Sequence, residues 1–105
     1  MLNLISDDTF QEKVREVYDP ILVMFTGNWC QPCKRFKPVV EEYLGSAGSG
    51  LTGYQADMEV AENTADELNI RSLPALVLFV DGMIRDVHSG TMTKEQLQLW
   101  VQDNI

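Results

Sequence analysis

The stretch Ile21-Leu22-Val23-Met24-Phe25-Thr26-Gly27-Asn28-Trp29-Cys30-Gln31-Pro32-Cys33-Lys34-Arg35-Phe36 decides the fold. Ile21 to Thr26 is an apolar run of strand length with no polar alternation, the pattern of a central strand covered on both faces. From Cys33 onward, Phe36, Val40, Tyr43 and Leu44 recur at helical spacing. The two cysteines therefore stand where a strand hands over to a helix, with Cys30 at or just before the helix N-terminus. Pro32 suits the first turn, where a missing N–H costs nothing. Pro38 falls inside the helix and should kink it. Unpaired backbone N–H groups and the positive end of the helix dipole favour a thiolate at Cys30 over a thiol. A thiolate with a second thiol three residues on is suited to thiol–disulfide exchange.

Two structural alternatives compete with that reading. A closed zinc site needs four ligands, and the chain offers 2 Cys and the distant His88, so no metal is expected. A static disulfide is the better alternative, but a bridge closing so short a loop constrains little of the unfolded chain. A Cys-x-x-Cys inside a β-α-β pattern favours redox activity over both.

Working outward, residues 2–5 form a short first strand. Ser6 can cap a helix over 7–17 that buries Phe10, Val14 and Val17. Residues 45–50, Gly-Ser-Ala-Gly-Ser-Gly, follow a helix and lack both the Gly-x-Gly-x-x-Gly order and the Walker lysine, so they are a flexible connection, not a phosphate loop. A strand over 51–57 and a helix over 60–68 come next. Residues 75–80 are a second apolar strand, and Asp81-Gly82 signals a hairpin into a strand over 84–89. Thr93 can cap a last helix with Leu97, Trp100 and Val101 inside. The order β-α-β-α-β-α-β-β-α predicts one α/β domain over residues 1–105, a mixed sheet with helices on both faces.

Composition bounds the rest. With 105 residues the chain is too small for two domains. No apolar run exceeds Ala75 to Val80, against the about 20 residues a membrane helix needs, so no membrane partner is expected. The N-terminus has neither the basic start nor the apolar stretch of a secretory signal, so a cytoplasmic location is expected. The net charge of −8 argues against nucleic acid. The acids Asp57, Glu59, Glu62, Asp66 and Glu67 read as a solvated face. Lys34, Arg35 and Lys37 put positive charge beside the prospective thiolate.

The chain resembles the thioredoxin family over essentially its whole length. The resemblance rests on Trp29-Cys30-Gln31-Pro32-Cys33-Lys34, on Pro38, on Asn69-Ile70-Arg71-Ser72-Leu73-Pro74, and on Gly82 and Gly90. It implies the thioredoxin fold, a central mixed five-stranded sheet flanked by four helices. It implies that Cys30 is the attacking thiolate and Cys33 the buried resolving thiol. Trp29, Gln31, Pro32, Leu73 and Pro74 would line a groove for an extended peptide, closed on its far side by Gly90, and Pro74 would be cis. The implied partners are disulfide-containing proteins and a thioredoxin reductase. A monomer is expected, with no cofactor on the chain itself.

The departures from the family sit around the active site. Gln31 stands where glycine is usual, and Thr26 where a second aromatic is usual. The buried aspartate of the central strand is Met24 here, and its lysine partner on the next strand aligns with Gln55. Both charges are absent together, which avoids stranding one buried charge. His88 reads as a surface or half-buried strand residue and Trp100 as core. The favoured function is a general protein-disulfide reductase. The alternative is a binding subunit or clamp of another protein with incidental redox activity, motivated by the absent acid.

Overall fold

A computed structural model describes residues 2–46 and 50–105. The apolar run before the cysteines is strand β2 (Ile21–Thr26), and all six of its residues are buried. Strand β3 (Thr52–Asp57) lies parallel to it on one side, and β1 (Leu2–Ile5) lies parallel to β3 beyond. On the other side β4 (Ala75–Val80) runs antiparallel to β2, and β5 (Met83–Ser89) antiparallel to β4. The mixed sheet has the order β1-β3-β2-β4-β5. Asp81 and Gly82 both have positive φ, 55° and 75°, as the tight turn between β4 and β5 requires. A side chain at Gly82 would also drive its Cβ to 2.1 Å from the Arg15 carbonyl oxygen.

Among the described residues four helices cover this sheet. Strand alternation sends Ile21, Val23 and Phe25 to one face, where Phe10, Val14, Ala61 and Ala65 meet them. Leu22 and Met24 point to the other face, into a cluster with Cys33, Phe36, Val40, Leu97 and Val101. The expected two-sided packing is therefore present. Helix α2 (Gln31–Leu44) runs on through Pro38, and helix α4 (Lys94–Asn104) lies on the same side of the sheet. Thr93 caps α4, its Oγ1 accepting from the Gln96 N–H at 3.1 Å.

Three expectations need correction. Helix α1 (Asp7–Phe10) does not reach residue 17. It widens into π-helical turns over Gln11–Arg15, closed by the Glu16 N–H donating to the Gln11 carbonyl at 3.0 Å. Helix α3 (Glu62–Glu67) begins two residues later than the expected 60, because the Val60 and Ala61 N–H groups are taken in a turn by the Asp57 carbonyl. Trp100 is half-buried, not core. Its Nε1 donates to Asp86 Oδ2 at 2.8 Å, and its ring lies 6.1 Å from that of the half-buried His88. Residues 47–49 of the connection expected over 45–50 lie outside the described residues.

The first turn of α3 has a tertiary cap. Asp7 reaches across from α1 and accepts from the Thr64 N–H at 2.8 Å, Thr64 Oγ1 at 2.6 Å and the Asn63 N–H at 3.2 Å. Partial desolvation pushes the Asp7 carboxyl up, but the three donors together outweigh it and hold the group below its ordinary value.

Candidate active site

Cys30 is the N-cap of α2, with extended backbone, and Gln31 and Pro32 open the helix. The chain reaches that position through a turn in which the Cys30 N–H donates to the Gly27 carbonyl at 3.1 Å. Cys33 lies in the first turn, and the two residues are joined by a disulfide with Cα atoms 5.3 Å apart. The Cys33 N–H donates to Cys30 Sγ at 3.2 Å. That contact places one free helix N–H on the sulfur that the sequence marks as nucleophile, where it would stabilise negative charge. Both cysteines are buried, Cys33 more deeply at 1% exposure against 4% for Cys30.

A groove of about 450 Å³ starts at Pro32, between the two cysteines. Its walls include Phe36 and Val39 from α2, Leu73 and Pro74 from the loop before β4, and Gly90 to Met92 beyond β5. The Leu73–Pro74 peptide is cis, as the resemblance implied. The Gly90 N–H donates to the Pro74 carbonyl at 2.8 Å, and Gly90 has φ of +97°, a conformation that L side chains rarely adopt. This bond ties the two sides of the groove together. Of the residues expected to line it, Pro32, Leu73, Pro74 and Gly90 do so; Trp29 and Gln31 stand exposed outside its walls. Trp29 is 73% exposed, which removes it from the core. Its indole lies across Gly27, where an added Cβ would sit 3.1 Å from Trp29 Cε2 and 3.3 Å from Leu73 Cδ1.

Sequence reasoning missed Arg35, Phe36, Val39, Thr91 and Met92 as groove residues, having read Phe36 only as part of the buried stripe of the helix. The basic cluster pointed to Arg35 only in general terms, and Thr91 and Met92 carry no motif of their own.

Behind the disulfide, Met24 is buried at 1% exposure and pairs in register with Gln55. Strand alternation therefore places both on the α2 side of the sheet, at the positions the resemblance assigned to them. A smaller cavity of about 180 Å³ lies there, lined among others by Cys33, Lys34, Lys37, Gln55 and Asp57. Asn28, also at its edge, donates to Glu59. Among the described residues no group of three or more His, Cys, Asp or Glu is placed to hold a metal ion.

A disulfide closed between Cys30 and Cys33 at a helix N-terminus, beside an open cleft, is the site of a thiol–disulfide oxidoreductase. The thioredoxin family model matches residues 2–103. Among curated relatives, thioredoxin C-2 of Corynebacterium nephridii is 34% identical over 100 residues, covering 95% of this chain and 93% of that protein. The thioredoxins of Rickettsia conorii and Rickettsia felis are 31% and 30% identical over 105 residues, the full length of both chains in each case. The chain belongs to the thioredoxin family, whose members are protein-disulfide oxidoreductases. No helix among the described residues is long and apolar enough to cross a membrane.

Proposed function

We propose that this chain is a general protein-disulfide reductase, recharged by a thioredoxin reductase and working as a monomer in the cytoplasm. The observation that carries the reading is the Cys30–Cys33 disulfide at the mouth of an open groove bounded by Pro32, Leu73, Pro74 and Gly90. In the reduced state the Cys30 thiolate attacks one sulfur of a substrate disulfide. A mixed disulfide forms, and the other substrate sulfur leaves as a thiolate that takes up a proton. Cys33 then loses its proton and attacks Cys30 Sγ, releasing the second substrate thiol and closing the Cys30–Cys33 bond. Two electrons pass to the substrate, and a reductase returns them.

The groove supports an extended peptide. Its apolar walls, Phe36, Val39, Leu73 and Met92, take side chains, and the bond from Gly90 to Pro74 holds the loop before β4 against the segment after β5. Trp29 adds an exposed aromatic surface beside the cleft, suited to substrate contact. Lys34, exposed one residue after Cys33, contributes positive charge near the nucleophile. The test is reduction of insulin followed by turbidity, with dithiothreitol as electron source. Marked acceleration over dithiothreitol alone is expected; none would overturn the reading.

A further inference from the structure

Gln55 Oε1 is, among the described residues, a buried side-chain oxygen with no hydrogen-bond partner. Such an atom bears the full desolvation of its carbonyl without compensation and calls for an explanation. Its surroundings narrow the possibilities. Gln55 lies on β3 directly opposite Met24, whose thioether is a weak acceptor and offers no donor. It shares the cavity behind the active site with Cys33, with the donor-bearing side chains of Thr26 and Asn28, and with the charged groups Lys34 and Lys37 from α2 and Asp57 from β3. None of these supplies a donor to Gln55 Oε1 while the disulfide is closed.

Cys33 is the one lining residue whose hydrogen-bonding capacity depends on redox state. A disulfide sulfur carries no proton, whereas a thiol carries one and can donate it. Reduction of Cys30–Cys33 by two thiols of glutathione delivers two electrons and two protons and yields glutathione disulfide. The Cys30 proton is then free to leave to solvent, while the Cys33 proton remains in the cavity that Gln55 lines.

We propose that Gln55 is a positioning residue for the reduced site: its Oε1 accepts the Cys33 thiol proton. The bond exists only in the dithiol form. It keeps Cys33 protonated while Cys30 bears the thiolate, which sorts the two sulfurs into their roles. It also couples the amide to the redox equilibrium, since closing the disulfide leaves the oxygen without a donor. The parent is therefore less reducing than a variant lacking the acceptor. The inference rests on the attacking and resolving roles proposed above for Cys30 and Cys33.

The experiment equilibrates the full-length parent, Gln55→Leu and Gln55→Met with glutathione and glutathione disulfide at one pH. Removing the acceptor should shift the equilibrium toward the disulfide about five- to tenfold. Tenfold corresponds to about 30 mV for a two-electron couple. In reduced Cys30→Ser protein, the S–H stretch of Cys33 should lie below that of a free thiol in the infrared, and adding Gln55→Leu should return it. A merely structural role would change the stability of both redox forms alike and move neither readout. Equilibrium constants within twofold of the parent for both variants would overturn the inference, as would a free-thiol stretch in the Cys30→Ser protein. A parent that does not exchange with glutathione at all would instead defeat the reading of Cys30 and Cys33 on which it rests.

Discussion

Met24 and Gln55 face each other across the parallel β2–β3 pair, an apolar side chain and an uncharged amide directly behind the Cys30–Cys33 disulfide. Family resemblance places an aspartate and a lysine at these two positions. The exchange of both removes a buried ion pair without leaving either charge alone. That matters energetically, because one unpaired buried charge costs more than a matched pair contributes.

Restoring only the acid should expose that asymmetry. Met24→Asp places a carboxylate at a position with 1% exposure and no cationic partner on β3. Urea unfolding should show a loss of about 3 kcal/mol or more at neutral pH. Met24→Leu, which keeps shape and apolarity, should cost less than about 1.5 kcal/mol. The acid also adds a proton acceptor near Cys33. If deprotonating Cys33 limits resolution of the mixed disulfide, single-turnover reduction per folded molecule should be faster in Met24→Asp. A variant as stable as the parent would contradict the burial of position 24.

The two cysteines should react in sequence. Cys30 caps α2 and receives the Cys33 N–H, whereas Cys33 is packed with Phe36 and Val40 at 1% exposure. With limiting iodoacetamide on reduced protein, a mass-spectrometric time course should show Cys30 labelled first. Cys33→Ser should accumulate mixed disulfides with substrate proteins, and Cys30→Ser should not. Equal labelling of both sulfurs would remove the assignment of roles.

The Asp7 cap on α3 makes a prediction about acid. Its carboxyl titrates below its ordinary value of 3.8 because desolvation is outweighed by donors from Thr64 and Asn63. A carboxylate with a depressed value stabilises the fold fully above that ordinary value. The contribution is lost as pH falls through the lower folded-state value. Asp7→Ala should therefore cost about 1 kcal/mol near neutral pH, and the difference from the parent should shrink below pH 3.8. A difference that stays constant from neutral pH down to the acid transition would rule out the charged cap.

What could be read from the chain divides along physical lines. The β2 strand and the start of α2 were legible because apolar period, Pro32 and the Cys spacing are local signals. The facing of Met24 and Gln55 came from resemblance, and the parallel register then placed the two residues opposite each other. The Asp7 cap was not legible, since its partners lie 56 and 57 residues away and no local pattern joins them. Trp100 misled because its spacing with Leu97 and Val101 is that of a buried stripe. Its indole N–H needs a partner, and Asp86 on β5 draws the ring toward the surface. The π-helical turns after Phe10 keep Phe10 and Val14 on the sheet, so the pattern of buried residues alone does not reveal them.

Arg35 should tune which substrates are preferred. It lines the groove beside Phe36 and Val39, and among the described residues its guanidinium forms neither an ion pair nor a hydrogen bond. A peptide with Asp or Glu near its disulfide could pair with this guanidinium, whereas one with Lys would face a like charge. The net charge of −8 acts oppositely, repelling acidic peptides at long range. The two effects separate with salt, because the Debye length is about 10 Å at 0.1 M and long-range repulsion is screened before a contact pair is. At that ionic strength, kcat/KM for a Glu-flanked disulfide peptide should exceed that for its Lys-flanked counterpart by about two- to fivefold, the range of a partly exposed ion pair. Arg35→Glu should invert the preference. Lys37→Glu, placed in the cavity behind the disulfide and not in the groove, should leave it in the parent's direction. An unchanged ratio in Arg35→Glu would mean that the peptide does not run along this wall of the groove.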